Sequence, residues 1–407
     1  MKRAAAIAPI GAVSIVLGLL ATSALATPRP LGDAQMSQVV AGDNFTVINE
    51  VSDGSVSAPT VDPLLKNPWG LSQGQGTFLW SSDNNSGFTT LYSTSTDPFS
   101  KFFLQIHIQL GSADNGPGNI ASPTGTVFTD FNGATFQITQ NGATGHALFL
   151  FDTEDGTIQA WSQGVNLFNT VTVVDDSQTN ASFKGLALLD TTDQVMANDP
   201  DKAKDLNAAI AGVRLYAADF QNNRVDVFNS QFQQVGSFTD KDLPSGFAPF
   251  NVQTLNGKIY VTFAKFDPAT TEGLPGAGLG IVDVFDPGTH DLHRLITGGA
   301  LNAPWGLDIA PAGFGQFAGD LLVGNFGDGK INAYDPKTGH FVGTVTTTDA
   351  GNPAFQETDL WTIRNGSDGA VIFSAGLTNQ ANGLIGVIKP AWSQASWAYQ
   401  SHVQLGH

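Results

Sequence analysis

Apolar and polar residues alternate along this chain in short runs broken by Asx-Gly and other glycine-rich turns, and the same order of runs returns six times. Each unit begins with a short opener, continues into an apolar strand, turns through polar residues and ends in further strand-like segments. The clearest openers are Asn67-Pro68-Trp69-Gly70-Leu71 and Ala303-Pro304-Trp305-Gly306-Leu307. Weaker ones are Ser122-Pro123-Thr124-Gly125, Ser182-Phe183-Lys184-Gly185, Ala248-Pro249-Phe250-Asn251 and Asp359-Leu360-Trp361-Thr362. With residues 69, 124, 184, 250, 305 and 361 as the register, the spacings are 55, 60, 66, 55 and 56 residues. Period-two alternation predicts half-buried strands, and Asx-Gly between two such runs predicts a hairpin. The predicted strand pairs are 77–82 with 89–92, 146–151 with 157–161, 214–218 with 224–228, 258–263 with 280–285, 320–324 with 330–334, and 370–374 with 384–388.

A repeat of this length containing only strand signals predicts an all-β chain, a six-bladed β-propeller with four-stranded blades. Outer strands are visible at 235–238, 292–296 and 341–345, but nothing comparable follows 384–388. The isolated alternating stretch 45–51 stands before the first opener, so the ring is expected to close by this N-terminal strand completing the last blade. The propeller is therefore assigned to 45–390, after a flexible leader at 27–44 and before a tail at 391–407. Three segments exceed the repeat. Residues 200–210, Ala-rich with Gly212 beyond them, predict a short helix. The stretch 111–121 leads into the second opener, and the loop 265–278, which carries Asp267, joins two strands of blade 4. By connectivity the last two lie on the opener face, which makes that face the expected binding face.

The N-terminus adds a destination. Lys2-Arg3, an apolar run over 4–21 and Ala24-Leu25-Ala26 followed by Thr27-Pro28 form the pattern of a secretory signal peptide over 1–26. Pro9, Gly11 and Gly18 interrupt the run, which disfavours a membrane anchor. A secreted or periplasmic protein without membrane attachment is expected. The chain has no Cys, so no disulfide supports it and stability must come from the core. Its net charge is −18, and loss of Lys2 and Arg3 leaves 16 basic against 36 acidic residues, or −20. Such a surface is a poor partner for nucleic acid. A small molecule, a carbohydrate or a protein is the expected partner, and a closed ring without long free edges is expected to act as a monomer.

Blade 3 carries Leu215-Tyr216-Ala217-Ala218-Asp219-Phe220-Gln221-Asn222-Asn223-Arg224-Val225-Asp226-Val227-Phe228. This stretch resembles the NHL repeat, and blade 5 has the same skeleton over 321–335 with Lys330 in place of the Arg. The whole is similar to the six-bladed group of NHL, streptogramin-lyase-like and gluconolactonase-like propellers, and it also resembles an uncharacterised family of exported bacterial propeller proteins. No Trp-Asp dipeptide marks WD40 blades, the single Gly298-Gly299 is not a kelch pattern, and Gly343 stands where a quinoprotein docking repeat has Trp.

The resemblance to propeller enzymes implies a calcium ion at the channel mouth, held by six to eight oxygens. Candidate ligands near the openers and strand ends are Asn67, Asp83, Asp219, Asn251, Asn302 and Asp359. Asx residues also occupy such turns to bond their own backbone. Trp69, Trp305 and Trp361 recur at equivalent positions and either line an aromatic mouth that stacks on a ligand or wedge between blades. Gly70-Leu71-Ser72-Gln73-Gly74 matches the hydrolase string G-x-S-x-G, but it runs toward another strand and not into the helix the nucleophile elbow requires. His290 and His293 fall in a turn between outer strands. Two functions follow as expectations: a ligand- or protein-binding module, or a calcium-dependent hydrolase or lyase.

Overall fold

The computed structural model describes residues 44–111, 119–130, 135–190, 212–348 and 354–391. The expected signal peptide, nearly all of the expected leader, the helix expected at 200–210 and all of the expected tail but Ala391 lie outside the described residues.

The chain folds as an all-β, six-bladed propeller of four-stranded antiparallel blades. Blade 1 runs outward from Pro68–Ser72 through Leu79–Asp83 and Phe88–Ser93 to Ser100–His107. Blade 2 comprises Pro123–Phe128, Phe149–Thr153, Thr157–Trp161 and Val171–Asp175, and blade 3 comprises Phe183–Asp190, Val213–Asp219, Arg224–Asn229 and Gln234–Phe238. Blade 4 is built from Phe247–Leu255, Lys258–Lys265, Ile281–Asp286 and Asp291–Thr297. Blade 5 is built from Pro304–Ile309, Leu321–Asn325, Ile331–Tyr334 and Phe341–Thr344. Blade 6 takes three strands from the C-terminal part, Leu360–Asn365, Val371–Ala375 and Leu384–Pro390. Its fourth is Phe45–Ser52, antiparallel to Leu384–Pro390 with Phe45 opposite Pro390. The ring thus closes through the N-terminal strand, as the sequence predicts.

One local expectation needs correction. Residues 146–151 are not one strand: Ala143–His146 pairs with Gln137–Gln140 in a side hairpin, and the blade strand begins at Phe149. The His146 ring bonds the Thr135 carbonyl at 2.6 Å, so it belongs to that hairpin.

Each opener contains a break in the ladder. Register shifts fall between Pro68 and Leu71, Phe183 and Leu186, Pro249 and Asn251, Pro304 and Gly306, and Leu360 and Ile363. In blade 2 the shift lies opposite Thr124 and Gly125, because Pro123 pairs with Thr153 and Thr126 with Phe151. A bulge of this kind bends a strand and re-aims one side chain. The re-aimed residues are those of the repeat register.

The next position explains the recurrent glycine. Inner strands of neighbouring blades approach so closely that a Cβ on Gly70 would lie 2.6 Å from the Thr124 carbonyl oxygen, and one on Gly306 would lie 2.5 Å from that of Trp361. Blades 4 and 6 have Asn251 and Thr362 at this position, and the side chains tie adjacent blades instead. The Asn251 amide donates to the Trp305 carbonyl at 2.7 Å, and the Thr362 hydroxyl donates to the Trp69 carbonyl at 2.7 Å. Gly306→Ala is expected to force two inner strands apart and cost about 1–3 kcal/mol. Chemical denaturation checks this, and an unchanged midpoint would mean that the channel wall yields freely.

Candidate functional site

Six side chains, one per blade, meet at the opener end of the channel: Trp69, Thr124, Lys184, Phe250, Trp305 and Trp361. All are buried. Trp69 stacks on Trp361 with ring centroids 3.5 Å apart, Trp305 stands edge-on to both, and Phe326 stacks on the other side of Trp361 at 4.5 Å. The Trp305 indole N–H donates to the Lys184 carbonyl at 2.9 Å, and that of Trp361 to Asn67 Oδ1 at 2.8 Å. The three tryptophans pack on one another and form a plug across the channel, and Trp305 also lines the cavity beneath it.

Lys184 sits over this plug, its Nζ 5.3 Å from the centre of the Trp69 ring, a cation–π distance. It is fully buried and pairs with Glu154 of blade 2 and, at 3.0 Å, with Glu272. Glu272 comes from the long blade 4 loop that the sequence places on this face. The Asn84 amide of blade 1 donates to Glu154 at 2.9 Å. Burial pushes Glu272 up to about 8, and the neighbouring Glu154 adds to the rise while Lys184 opposes it. Burial would also raise Glu154, but Lys184 outweighs it and holds that carboxyl below its usual range. The trio thus sets the two carboxyls apart, Glu154 favouring its charged form and Glu272 its protonated form. It locks four blades together over the plug.

Each of the expected calcium ligands has hydrogen-bond partners within the protein, and Asn67 and Asp359 share one, Gln380. Asp83 lies inside blade 1, where it accepts from Ser81 and Thr90, each at 2.7 Å. Asp219 accepts from the Ser182 and Asn222 backbones and the Asn222 amide, beside Arg224. Asn251 bridges blades 4 and 5, as described above. Asn302 accepts from the Gly276 backbone at 2.6 Å, and Asp359 from that of Gln380 at 2.8 Å. Asn67 donates to Gln380 and accepts from Trp361. Asn67 and Asp359 also adopt φ values of 49° and 57°, a conformation Asx residues tolerate. Asp267 is a half-buried turn residue that accepts from Ala269 N and the Thr270 hydroxyl. Some of these groups bond within one turn or blade, as Asp83 and Asp267 do, and others tie neighbouring blades, as Asn67 and Asn251 do. Among the described residues no group of three or more His, Asp or Glu is arranged to hold a metal.

The open space of the channel lies at the end opposite the openers. A cavity of about 370 Å³ occupies the channel below the plug and is lined by all six inner strands. It reaches solvent where those strands end, at the partly exposed Gln73, Phe128, Gln253, Asp308 and Arg364. Three residues after each register position the chain presents Ser72, Val127, Ala187, Gln253, Asp308 and Arg364, and all six line the cavity. The charged pair could have been found by reading the repeat at this offset; the openers drew attention elsewhere. Asp308 accepts the backbone N–H of Ile309 and of Asn365, both at 2.7 Å, and burial pushes its carboxyl up to about 6. Ser72 is part of a strand and meets Thr126 Oγ1 at 3.2 Å, so the G-x-S-x-G string is no nucleophile elbow.

No family model matches the chain. Uncharacterized protein R640 of Acanthamoeba polyphaga mimivirus is 30% identical over 225 residues, which cover 54% of this chain and 38% of R640. The chain thus spans well under half the length of that relative. Uncharacterized protein R648 of the same virus is 28% identical over 358 residues, covering 83% of the chain and 78% of R648. Among solved structures, streptogramin B lyase superposes with a TM-score of 0.44 at 10% identity, covering 86% of this chain and 98% of that one. The curated relatives are viral, where the sequence suggested a bacterial family.

Proposed function

We propose that this protein is a binding module for a small molecule and that the ligand enters the channel from the end opposite the openers. One observation carries this reading: the opener end is plugged by stacked aromatics, while the other end opens into a polar-lined cavity of about 370 Å³. That volume lies in the range of small-molecule sites. The lining mixes apolar walls (Leu71, Val127, Leu186) with Gln73, Gln253, Thr254, Asp308 and Arg364, a composition that buries a ligand body and orients its polar groups. The Leu215–Phe228 motif supports membership of the NHL-like group of propellers, and the leader pattern of residues 2–26 supports export.

Gln253 is half-buried on the cavity wall, so Gln253→Trp fills the channel without entering the core. In a ligand-observed NMR screen of a small-molecule library, hits on the wild type are expected to be lost in Gln253→Trp. Hits that survive the substitution would move the site elsewhere.

A further inference from the structure

Arg364 is partly exposed on the channel wall, and among the described residues its side chain has no hydrogen-bond partner and no ion pair within 4 Å. Its Nη1 is fully enclosed and unbonded, and burial lowers its basicity to about 10 despite the attraction of Asp308. A guanidinium is an expensive group to leave without acceptors, since buried charges are ordinarily paired and hydrogen-bonded. Asp308, the other charged group at this level of the repeat, does not relieve it: the two stand beyond ion-pair distance, and the Asp308 oxygens already accept from Ile309 and Asn365. Arg364 lies on Leu360–Asn365, where it opposes Ile372 in a regular ladder, so it is held on a rigid strand. A cation fixed on the wall of an open cavity and lacking its counter-charge marks the place of an anion.

We infer that the channel binds a small monocarboxylate whose carboxylate pairs with Arg364. This rests on the channel being the ligand site. The fork of guanidinium N–H donors matches a carboxylate in two parallel hydrogen bonds. A single positive charge, partly offset by Asp308, can balance no more than one negative charge and leaves a dianion such as phosphate under-compensated. Leu71, Val127, Leu186, Leu307 and Ile363 line the same cavity and suit a hydrocarbon body attached to the acid. The net charge of the chain is negative, so the selectivity comes from this one residue and not from the overall field.

The test measures thermal shift and calorimetric titration with acetate, lactate, pyruvate and benzoate at millimolar concentration, with benzamide and inorganic phosphate as comparators. Wild type, Arg364→Gln, Arg364→Lys and Gln253→Trp are compared after circular dichroism shows native spectra. At least one monocarboxylate is expected to raise the wild-type midpoint, benzamide and phosphate to bind at least tenfold more weakly, and Arg364→Gln to lose at least tenfold in affinity. Arg364→Lys should recover part of the loss, because it restores the charge without the fork. Three results would each overturn the inference: no midpoint change with any of the four acids, tighter binding of phosphate, or unaltered carboxylate binding in Arg364→Gln. If Arg364→Gln binds normally while Gln253→Trp does not, the channel stands as the site and the carboxylate assignment fails. If both variants bind as the wild type does, the channel assignment fails as well.

Discussion

Lys184→Ala is expected to destabilise the propeller by about 3–5 kcal/mol, the usual cost of removing one partner from a buried ion pair. The ammonium is fully buried and is the common partner of Glu154 and Glu272, which come from different blades. Its loss leaves two carboxyls side by side with only Asn84 as a donor to one of them. Those carboxyls can escape repulsion by taking up protons. The loss should therefore be smaller near pH 5 than near pH 8, where at least one must ionise without a counter-charge. The cost belongs to the broken network and not to missing volume, so Lys184→Met combined with Glu154→Gln and Glu272→Gln should regain most of the stability. Denaturant midpoints for the wild type, single variant and triple variant at the two pH values check this. A Lys184→Ala midpoint equal to the wild type at pH 8 would show that the trio is not a lock.

This lock and the cavity beneath the plug were unequally legible in the sequence. The blades, their hairpins and the closing strand Phe45–Ser52 could be read, because period-two alternation and Asx-Gly turns are local signals that survive without tertiary context. The same pass missed Ser100–His107 and Val171–Asp175, outermost strands whose exposed faces weaken the alternation. It also placed the blade 4 loop on the opener face, and that loop delivers Glu272 to Lys184. What could not be read was which end of the channel is closed. That depends on whether six side chains re-aimed by bulges fill the ring, and their sizes matter only once its diameter is known. Three tryptophans and a phenylalanine do fill it. The Asx residues proposed as ligands carry hydrogen bonds of their own, within a turn for Asp219, with Asn222, and across blades for Asn251 and Asn67, and such uses are identical to ligation in sequence.

Stability is expected to fall steadily as pH rises from about 5 to about 8.5, contrary to the behaviour of a protein held by ionised surface carboxylates. Burial pushes Asp152 and Asp283 up to about 7 and Glu272 up to about 8, and Asp83 well above its usual value. In the unfolded chain these groups ionise near pH 4, so between pH 5 and 7 the native state holds protons that the unfolded state has released. Unfolding then releases protons, and raising the pH favours it, by at most about 1.4 kcal/mol per pH unit for each such group. His146 acts in the same direction: burial would lower it, but its hydrogen bonds to Asp130 and Thr135 raise it, and that stabilisation is lost as pH climbs through its folded value. The carboxyls shifted downward, Asp53, Glu154, Asp286 and Asp335, titrate below this window and cannot reverse the slope. Asp152 offers the cleanest dissection. One of its oxygens accepts from the Thr124 hydroxyl at 2.8 Å and the Gly125 backbone at 2.6 Å, while the other is buried without a partner. Asp152→Asn keeps an acceptor for the first pair and removes the titration. Its denaturant midpoint should therefore vary less with pH than the wild type and should exceed it most at the alkaline end. A wild-type midpoint that is flat or rises over this range would show that water reaches these carboxyls and that the blades are looser than their packing implies.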